Sequence, residues 1–390
     1  ALNNIAKIAR KRFTGLVIAI TGSVGKTSTK EMLKSALEPF GEVHASPKSF
    51  NNYLGVPISL VTIPKNADFA VLEIGMNSPG EIEPLSRLAK PDHTVITTTG
   101  KSHTENFDNM HQIAKEKASI VKGMAGSGKI FLSTEGQLQD DIMKILNEEQ
   151  FSVVKFGTKG QAKFEIVHLQ QNNSGTILKL KVPDGSHLYF KLGVQGIHYM
   201  YNAVGVIAIL SELGFDVSRG MLSLSNWSPL HGRGFNYIID MNNNVAKKFI
   251  EIIDDAYNSN PISLRASLQN LANYENPQLF GKRKIEKIAI LGDMLELGSR
   301  SKEEHKSISN EEYVGKIDKF HCVGKDMKNL YDNISTRQQG EWFERTEDLI
   351  LDLKPILKNA DIILVKASNS FRFSAVVDEI KSFGKVVNLK

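Results

Sequence analysis

The stretch "GLVIAITGSVGKTSTKEM", residues 15–32, limits the possible folds more than any other part of the chain. Its apolar run "LVIAI" reads as a strand buried on both faces, because a strand with one wet face would alternate. Two glycines follow, and residues 27–38 read as a helix. A strand that passes through a glycine turn into a helix brings free backbone N–H groups and the positive helix end to one point, which suits a phosphate. Lys26 can then reach β- and γ-phosphates, and the Thr27 hydroxyl can ligate Mg²⁺. The standard phosphate-loop spacing wants a glycine five positions ahead of the Gly-Lys pair. Here that position is Ile20. The residues alone leave two readings, a shortened loop that holds a nucleoside triphosphate or a structural turn ahead of a solvated lysine.

Strand-like and helix-like segments alternate over residues 16–150: "LVIAI", "FAVLEIG", "HTVITTT" and "GKIFLS" as strands, with 80–90 and 108–124 as helices. That alternation predicts a doubly wound parallel sheet covered on both faces. Residues 151–195 shift to short alternating runs divided by "NNSG" and "PDG", a small antiparallel meander inserted into or appended to the sheet. "MYNAVGVIAILSELG" returns to a helix ended by Gly214. Residues 225–235, "SNWSPLHGRGF", have no periodicity and form the best linker. "FIEIIDDAYNSNP", "KIAILGDMLELG", "KFHCVG" and "ADIILVKAS" then describe a second, smaller α/β domain. A chain of 390 residues exceeds one ordinary core. The predicted boundaries are 1–228 and 229–390.

A net charge of +5 comes from scattered lysines, whereas a nucleic-acid binder concentrates its charge in a stripe. Cys322 is the only cysteine, so no intrachain disulfide forms, and a reducing cytoplasm is expected. No apolar run approaches the ~20 residues of a membrane span. "ALNNIAKIARKRF" reads as a basic amphipathic helix and not as a signal peptide.

"TGSVGKTSTKEM" resembles the shortened phosphate loop of the Mur ligases, the ATP-dependent amide ligases of peptidoglycan synthesis, a loop that the folylpolyglutamate synthetases share. "EIGMNSPGEI", "DDAYNSNP" and "LGDMLELG" resemble the branch that adds D-alanyl-D-alanine. The resemblance implies a P-loop-type central ATP-binding domain over 1–228 and a Rossmann-like C-terminal ligase domain over 229–390, with ATP and Mg²⁺ as cofactors. On ATP it places Gly22, Ser23, Gly25, Lys26, Thr27 and Ser28, joined by Asn202, Arg233 and Asp255. Around magnesium it places Thr27, Glu73, His103 and Lys117, with Lys26, His103 and Lys117 in catalytic roles. Lys117 matches a lysine that is carbamylated in several Mur ligases. Asn51 and Asn52 of "SFNNYLGVP" fall where the family approaches its nucleotide-sugar peptide. Asn258, Asn260 and Asp293 fall on the dipeptide or ATP side.

Each assignment has a plainer counterpart. Glu73 is also a strand-end residue, His103 a polar loop residue, and Lys117 one lysine among many on a helix face. "DDAYNSNP" is also an Asx-capped strand-to-helix turn, and the Asn pair ahead of "GVP" a plain turn. Lys101, Ser119 and Tyr199 depart from the family pattern. "VKASNSFRF" is a degraded Lys-Gly-Ser-Arg segment, with no role assigned.

The implied activity joins D-alanyl-D-alanine to UDP-N-acetylmuramoyl-tripeptide through an acyl phosphate. It serves the cell wall, and with it cell shape and division, in a monomeric cytoplasmic enzyme. Other amine or folate substrates, a nucleotide switch without ligation, and a scaffold are the alternatives. Full-length family members carry an N-terminal domain for the UDP end of the substrate, and about 15 residues precede the first strand here. A truncated protein that binds ATP but holds the nucleotide sugar poorly is therefore expected.

Overall fold

The apolar runs of the first half become six parallel strands: β1 (Leu16–Thr21), β2 (Val43–Ala45), β3 (Phe69–Glu73), β4 (His93–Ile96), β5 (Lys129–Ser133) and β6 (Ser152–Gly157). The meander β7 (Phe164–Asn172), β8 (Gly175–Lys181) and β9 (His187–Leu192) extends the same sheet, in the order β2-β3-β1-β4-β5-β6-β7-β8-β9. The computed structural model describes residues 1–390 apart from 103, 125, 127, 150, 159–160, 173–174, 242–247, 282 and 388–390. Within it the chain divides into two units, Ala1–Trp227 and Ser228–Lys390.

Alternation along β1 sends Ile18 and Ile20 into one core and Val17 and Ala19 into the other. The first core holds Met32 and Leu33 of the helix Lys26–Leu37 together with the helix Ile197–Glu212. The latter is apolar all round because it is sunk in that core, with Met200 and Val206 to Leu210 fully buried. Each such aliphatic side chain contributes roughly 1.5–3 kcal/mol. The second core takes Leu60, Ile82, Ile113 and Ile142 from the helices Gly55–Val61, Ile82–Ala89, Met110–Ala118 and Gln139–Glu148.

The structure departs from the sequence pattern in three places. The meander is appended, one of the two arrangements expected, but "SVVKFG" at its head is a parallel strand whose alternation imitates an antiparallel edge. "GVPISLV", to which the sequence pattern assigns no element, is a helix, with Pro57 tolerated in its first turn. The helix at 108–124 is α-helical only over Met110–Ala118, and a 3₁₀ turn finishes it.

The second unit contains β10 (Phe235–Asp240), β11 (Phe249–Asp254), β12 (Lys287–Gly292), β13 (Lys319–Val323), β14 (Gln339–Phe343), β15 (Ile362–Lys366) and β16 (Lys385–Val387). Their order is β14-β13-β12-β15-β11-β10-β16, with β10 antiparallel to β11 and β16. The winding reverses between β12 and β15, and in such sheets ligands gather outside the carboxyl ends at that point. Among the described residues, no helix is long and apolar enough to cross a membrane.

Candidate functional site

β1 ends at Thr21, and the chain turns through Gly22–Gly25 into the helix Lys26–Leu37. Gly25 sits at φ +87°, no side chain caps the helix, and its first turn holds no carboxylate. A Cβ on Gly25 would stand 2.6 Å from Asn202 Oδ1, and one on Gly22 (φ +152°) 1.9 Å from Thr97 Oγ1. Both positions therefore require glycine. A helix start has no intrahelical partners for its first amides and carries a partial positive charge. Left without a side-chain cap, it forms a cradle for an anion.

Lys26 folds over this turn, its Nζ donating to Gly22 O at 2.7 Å, and Ser28 is half-buried in the same helical turn. Ser23 faces elsewhere. Its hydroxyl donates to Gly100 O at 2.9 Å and accepts from Gly100 N at 3.0 Å, with Ser102 Oγ at 2.9 Å. The amides of Ser23 and Val24 donate to Thr98 O at 3.0 and 3.3 Å. The front of the loop is thus stitched to the segment after β4, while the helix start from Gly25 onward has no side-chain cap. Asn202, reached by the helix Ile197–Glu212, abuts this turn.

Register places Ile20 beside Glu73, so β3 ends next to the loop. Thr27 Oγ1 donates to Glu73 Oε2 at 2.8 Å, and Asn51 Nδ2 donates to Oε1 at 2.7 Å. Ser49 Oγ lies 3.3 Å from Thr27 Oγ1. A hydroxyl and a carboxylate beside a phosphate cradle fit Mg²⁺, which takes hard oxygen ligands and completes its shell with phosphates and water. Asn52 is separate from this cluster. Its Oδ1 accepts from Leu54 N and Gly55 N at 3.2 and 2.9 Å and starts the next helix. His103 lies outside the described residues, among which no three His, Cys, Asp or Glu side chains gather for a metal.

Lys117 is fully buried, its Nζ 4.0 Å from Met76 Sδ. Burial drives its pKa well below the ordinary lysine range, and the positive charge of Lys26 lowers it further against the pull of Glu116. The amine is thereby biased to its neutral, nucleophilic form. Glu116 itself accepts from Gly80 N and Ile82 N at 2.8 and 2.7 Å, closing the helix Ile82–Ala89.

In the second unit, Asp255 Oδ2 accepts from Lys366 Nζ at 2.7 Å and from Ser267 Oγ at 2.5 Å. Lys366, fully buried, also donates to Asn258 O at 2.9 Å. Asp254 holds the loop that carries Arg233, accepting from Gly232 N at 2.8 Å through Oδ2 and from Gly234 N at 2.7 Å through its carbonyl. Arg233 stacks over the Tyr257 ring at 4.0 Å. Asn260 forms a capping box with Ser263, so its side chain is committed to the helix Pro261–Ala272. Asp293 accepts from Met327 N at 2.6 Å and Asp326 N at 3.3 Å. Burial raises its pKa while these amides pull it down. Ser368 N donates to Asp293 O at 3.2 Å, so the ends of β12 and β15 adjoin at the reversal point.

Sequence pattern singles out neither Lys30 nor Lys366. The signal for each was a charge on an apolar element, in "TKEML" on the buried side of a helix and at the end of "IILVK".

An open helix start behind a glycine turn, a carboxylate one strand away and a second wound sheet define a phosphate-loop α/β protein with an added Rossmann-like unit. Known proteins narrow this class. The Mur ligase middle domain matches residues 20–210, and the Mur ligase glutamate ligase domain matches residues 241–369. The UDP-N-acetylmuramoyl-tripeptide–D-alanyl-D-alanine ligase of Bacillus subtilis (strain 168) is 30% identical over 387 residues, spanning 97% of this chain and 79% of that protein. MurF from Acinetobacter baumannii superposes with a TM-score of 0.83 at 24% identity, over 98% of this chain and 80% of that one. The MurF ligase of Thermotoga maritima in complex with ADP gives a TM-score of 0.81 at 24% identity, over 98% and 84%. At these identities the structural likeness speaks for the fold. The chain belongs to the Mur ligase family.

Proposed function

We propose that this chain is an ATP-dependent amide ligase that joins D-alanyl-D-alanine to UDP-N-acetylmuramoyl-tripeptide in cytoplasmic peptidoglycan synthesis. The observation that carries this reading is the uncapped helix start at Gly25 with Thr27 Oγ1 bonded to Glu73 at 2.8 Å. The name of the Bacillus subtilis relative supports the choice of substrates. In this reading residues 1–228 bind ATP and residues 229–390 form the ligase domain.

The tripeptide's terminal carboxylate attacks the γ-phosphorus, and the bond to the bridging oxygen breaks to give an acyl phosphate and ADP. The dipeptide amine then attacks the acyl carbon, the C–N bond forms, phosphate departs and the amine gives up a proton. Lys26 and the amides from Gly25 to Ser28 hold the charge on the transferred group, which is positional and electrostatic catalysis. Mg²⁺, with Thr27, Glu73 and His103 as its proposed protein ligands, supplies charge neutralisation across the phosphates when bound. Lys117, biased to the neutral amine, attacks CO₂ to form an N–C bond and releases a proton, giving a carbamate that puts an anion where a cation would repel Lys26. Asn202, Arg233 and Asp255 are assigned to the nucleotide, and Asn52, Asn258 and Asp293 to the peptide substrates. Asn51 acts through Glu73, and Asn260 through the helix Pro261–Ala272 that it caps.

The test is phosphate release from ATP and Mg²⁺ with UDP-N-acetylmuramoyl-tripeptide, with and without D-alanyl-D-alanine. Release that requires the dipeptide is expected, and Lys26→Ala should lower it by about 10²–10³-fold. Release independent of any amine would overturn the ligase reading in favour of a nucleotide switch.

A further inference from the structure

We propose that Lys30 is a positioning residue for the nucleotide site, clamping the segment 46–52 onto the phosphate-loop helix so that Ser49 and Asn51 reach Thr27 and Glu73. The inference rests on the nucleotide-binding part of the proposed function, and its test reads binding rather than ligation.

Lys30 is fully buried, and its neighbours Met32, Leu33, Ala36 and Leu37 belong to the core. A buried ammonium is tolerated only when its three N–H groups are met. Here three oxygens meet them: Ser46 O at 2.6 Å, Lys48 O at 2.5 Å and Glu31 Oε1 at 2.8 Å. Two of these are backbone carbonyls of a segment with no ladder of its own. Lys48 adopts φ +48°, a left-handed backbone uncommon for a side-chain-bearing residue, and its carbonyl is one that Lys30 grips.

The same segment is tied at its other points to the nucleotide site. Ser46 Oγ accepts from Glu73 N at 3.1 Å, Ser49 Oγ lies 3.3 Å from Thr27 Oγ1, and Asn51 Nδ2 donates to Glu73 Oε1 at 2.7 Å. Asn51 O accepts from Gly75 N at 2.8 Å. Thr27 and Lys30 are three residues apart and so share a helix face. One helix face therefore holds the segment twice, through the ammonium and through the hydroxyl that meets Glu73. Glu73 has each carboxylate oxygen oriented by a different arm of this arrangement. Residues that orient ligands in this way typically change metal affinity by about 10–100-fold when removed.

The experiment is calorimetric titration of the full chain with ADP, with and without Mg²⁺, for the unaltered protein, Lys30→Met, Lys30→Arg and Asn51→Ala. Lys30→Met and Asn51→Ala should each cut the Mg²⁺-linked gain in ADP affinity by about tenfold. Metal-free ADP affinity should stay within about twofold, because the loop amides are intact. Lys30→Arg, which retains a cation with several donors, should recover part of the gain. Hydrogen exchange should rise across 46–52 in Lys30→Met and remain unchanged across 197–212.

An unchanged Mg²⁺-linked gain in folded Lys30→Met overturns the proposal. So does an equal loss with and without metal, which marks a general structural defect. If Lys30→Met does not fold, Asn51→Ala decides, and an unchanged gain there overturns it too. An unaltered chain that binds no ADP defeats the nucleotide reading as well. A chain that binds Mg²⁺ and ADP but ligates nothing defeats only the ligase reading.

Discussion

A helix follows a parallel strand in each sheet, Lys26–Leu37 after β1 and Pro261–Ala272 after β11, and their starts are finished in opposite ways. The second is closed by the Asn260–Ser263 capping box, with proline at its first position. That closure occupies the amides which would otherwise face a ligand. The first has glycine where the cap would be and a lysine at its first position, a cation at the positive pole of the helix. The contrast leaves one helix start open to an anion and closes the other as a structural turn.

The buried lysines extend the contrast. Lys366 sits at its strand end with Asp255 at 2.7 Å, a compensated ion pair. Lys117, beside the open helix start, has Met76 Sδ as its near polar atom at 4.0 Å and lies within the field of Lys26. One lysine's charge is matched by a partner, whereas burial and the charge of Lys26 disfavour the other's.

The largest way to break the comparison is Gly25→Ala. It forces a side chain into φ +87° with a Cβ 2.6 Å from Asn202 Oδ1. A cost of about 1–3 kcal/mol in urea unfolding is expected, together with at least a tenfold loss in ADP affinity by calorimetry, an order-of-magnitude expectation for a displaced phosphate cradle. Asn260→Ala should cost ~1 kcal/mol of stability. Its ADP affinity should stay within about twofold, because no phosphate contact is assigned to that helix start. A large loss of ADP affinity in Asn260→Ala would reverse the roles of the two helices.

The smallest expected effect is a drift of stability with pH. Lys117 has a folded pKa depressed from 10.5, so between that depressed value and 10.5 the unfolded chain binds the extra proton. Stability therefore rises with pH through this window, and the penalty is complete below it. Over half a pH unit the Lys117 contribution is at most about 0.7 kcal/mol. In bicarbonate-free buffer, Lys117→Met should unfold with a flatter pH profile than the unaltered chain. Equal slopes would mean that Lys117 titrates as an ordinary exposed lysine.

The legible parts of the fold and site are those whose signal is local. "LVIAITGSVGKT" declares a buried strand, a turn and a helix start because apolar runs, glycines and a helical pattern are read within a few residues. Other features depend on what lies beside them in space. Strand β2 has three residues, too few to show a period. Asn51 finds Glu73 because β2, which precedes it, pairs with β3, a register that sequence spacing does not encode. Lys366 meets Asp255 across 111 residues. Ser23 lies within the glycine turn, yet its hydroxyl serves Gly100 and Ser102, partners supplied by the strand on the other side of β1.

The central claim is that the open helix start at Gly25 receives the nucleotide phosphates. Amide hydrogen exchange of the full chain with and without Mg²⁺ and ADP tests it most directly. Protection over residues 22–30, with residues 260–264 unchanged, is the predicted result. Protection at 260–264 with none at 22–30 would contradict it.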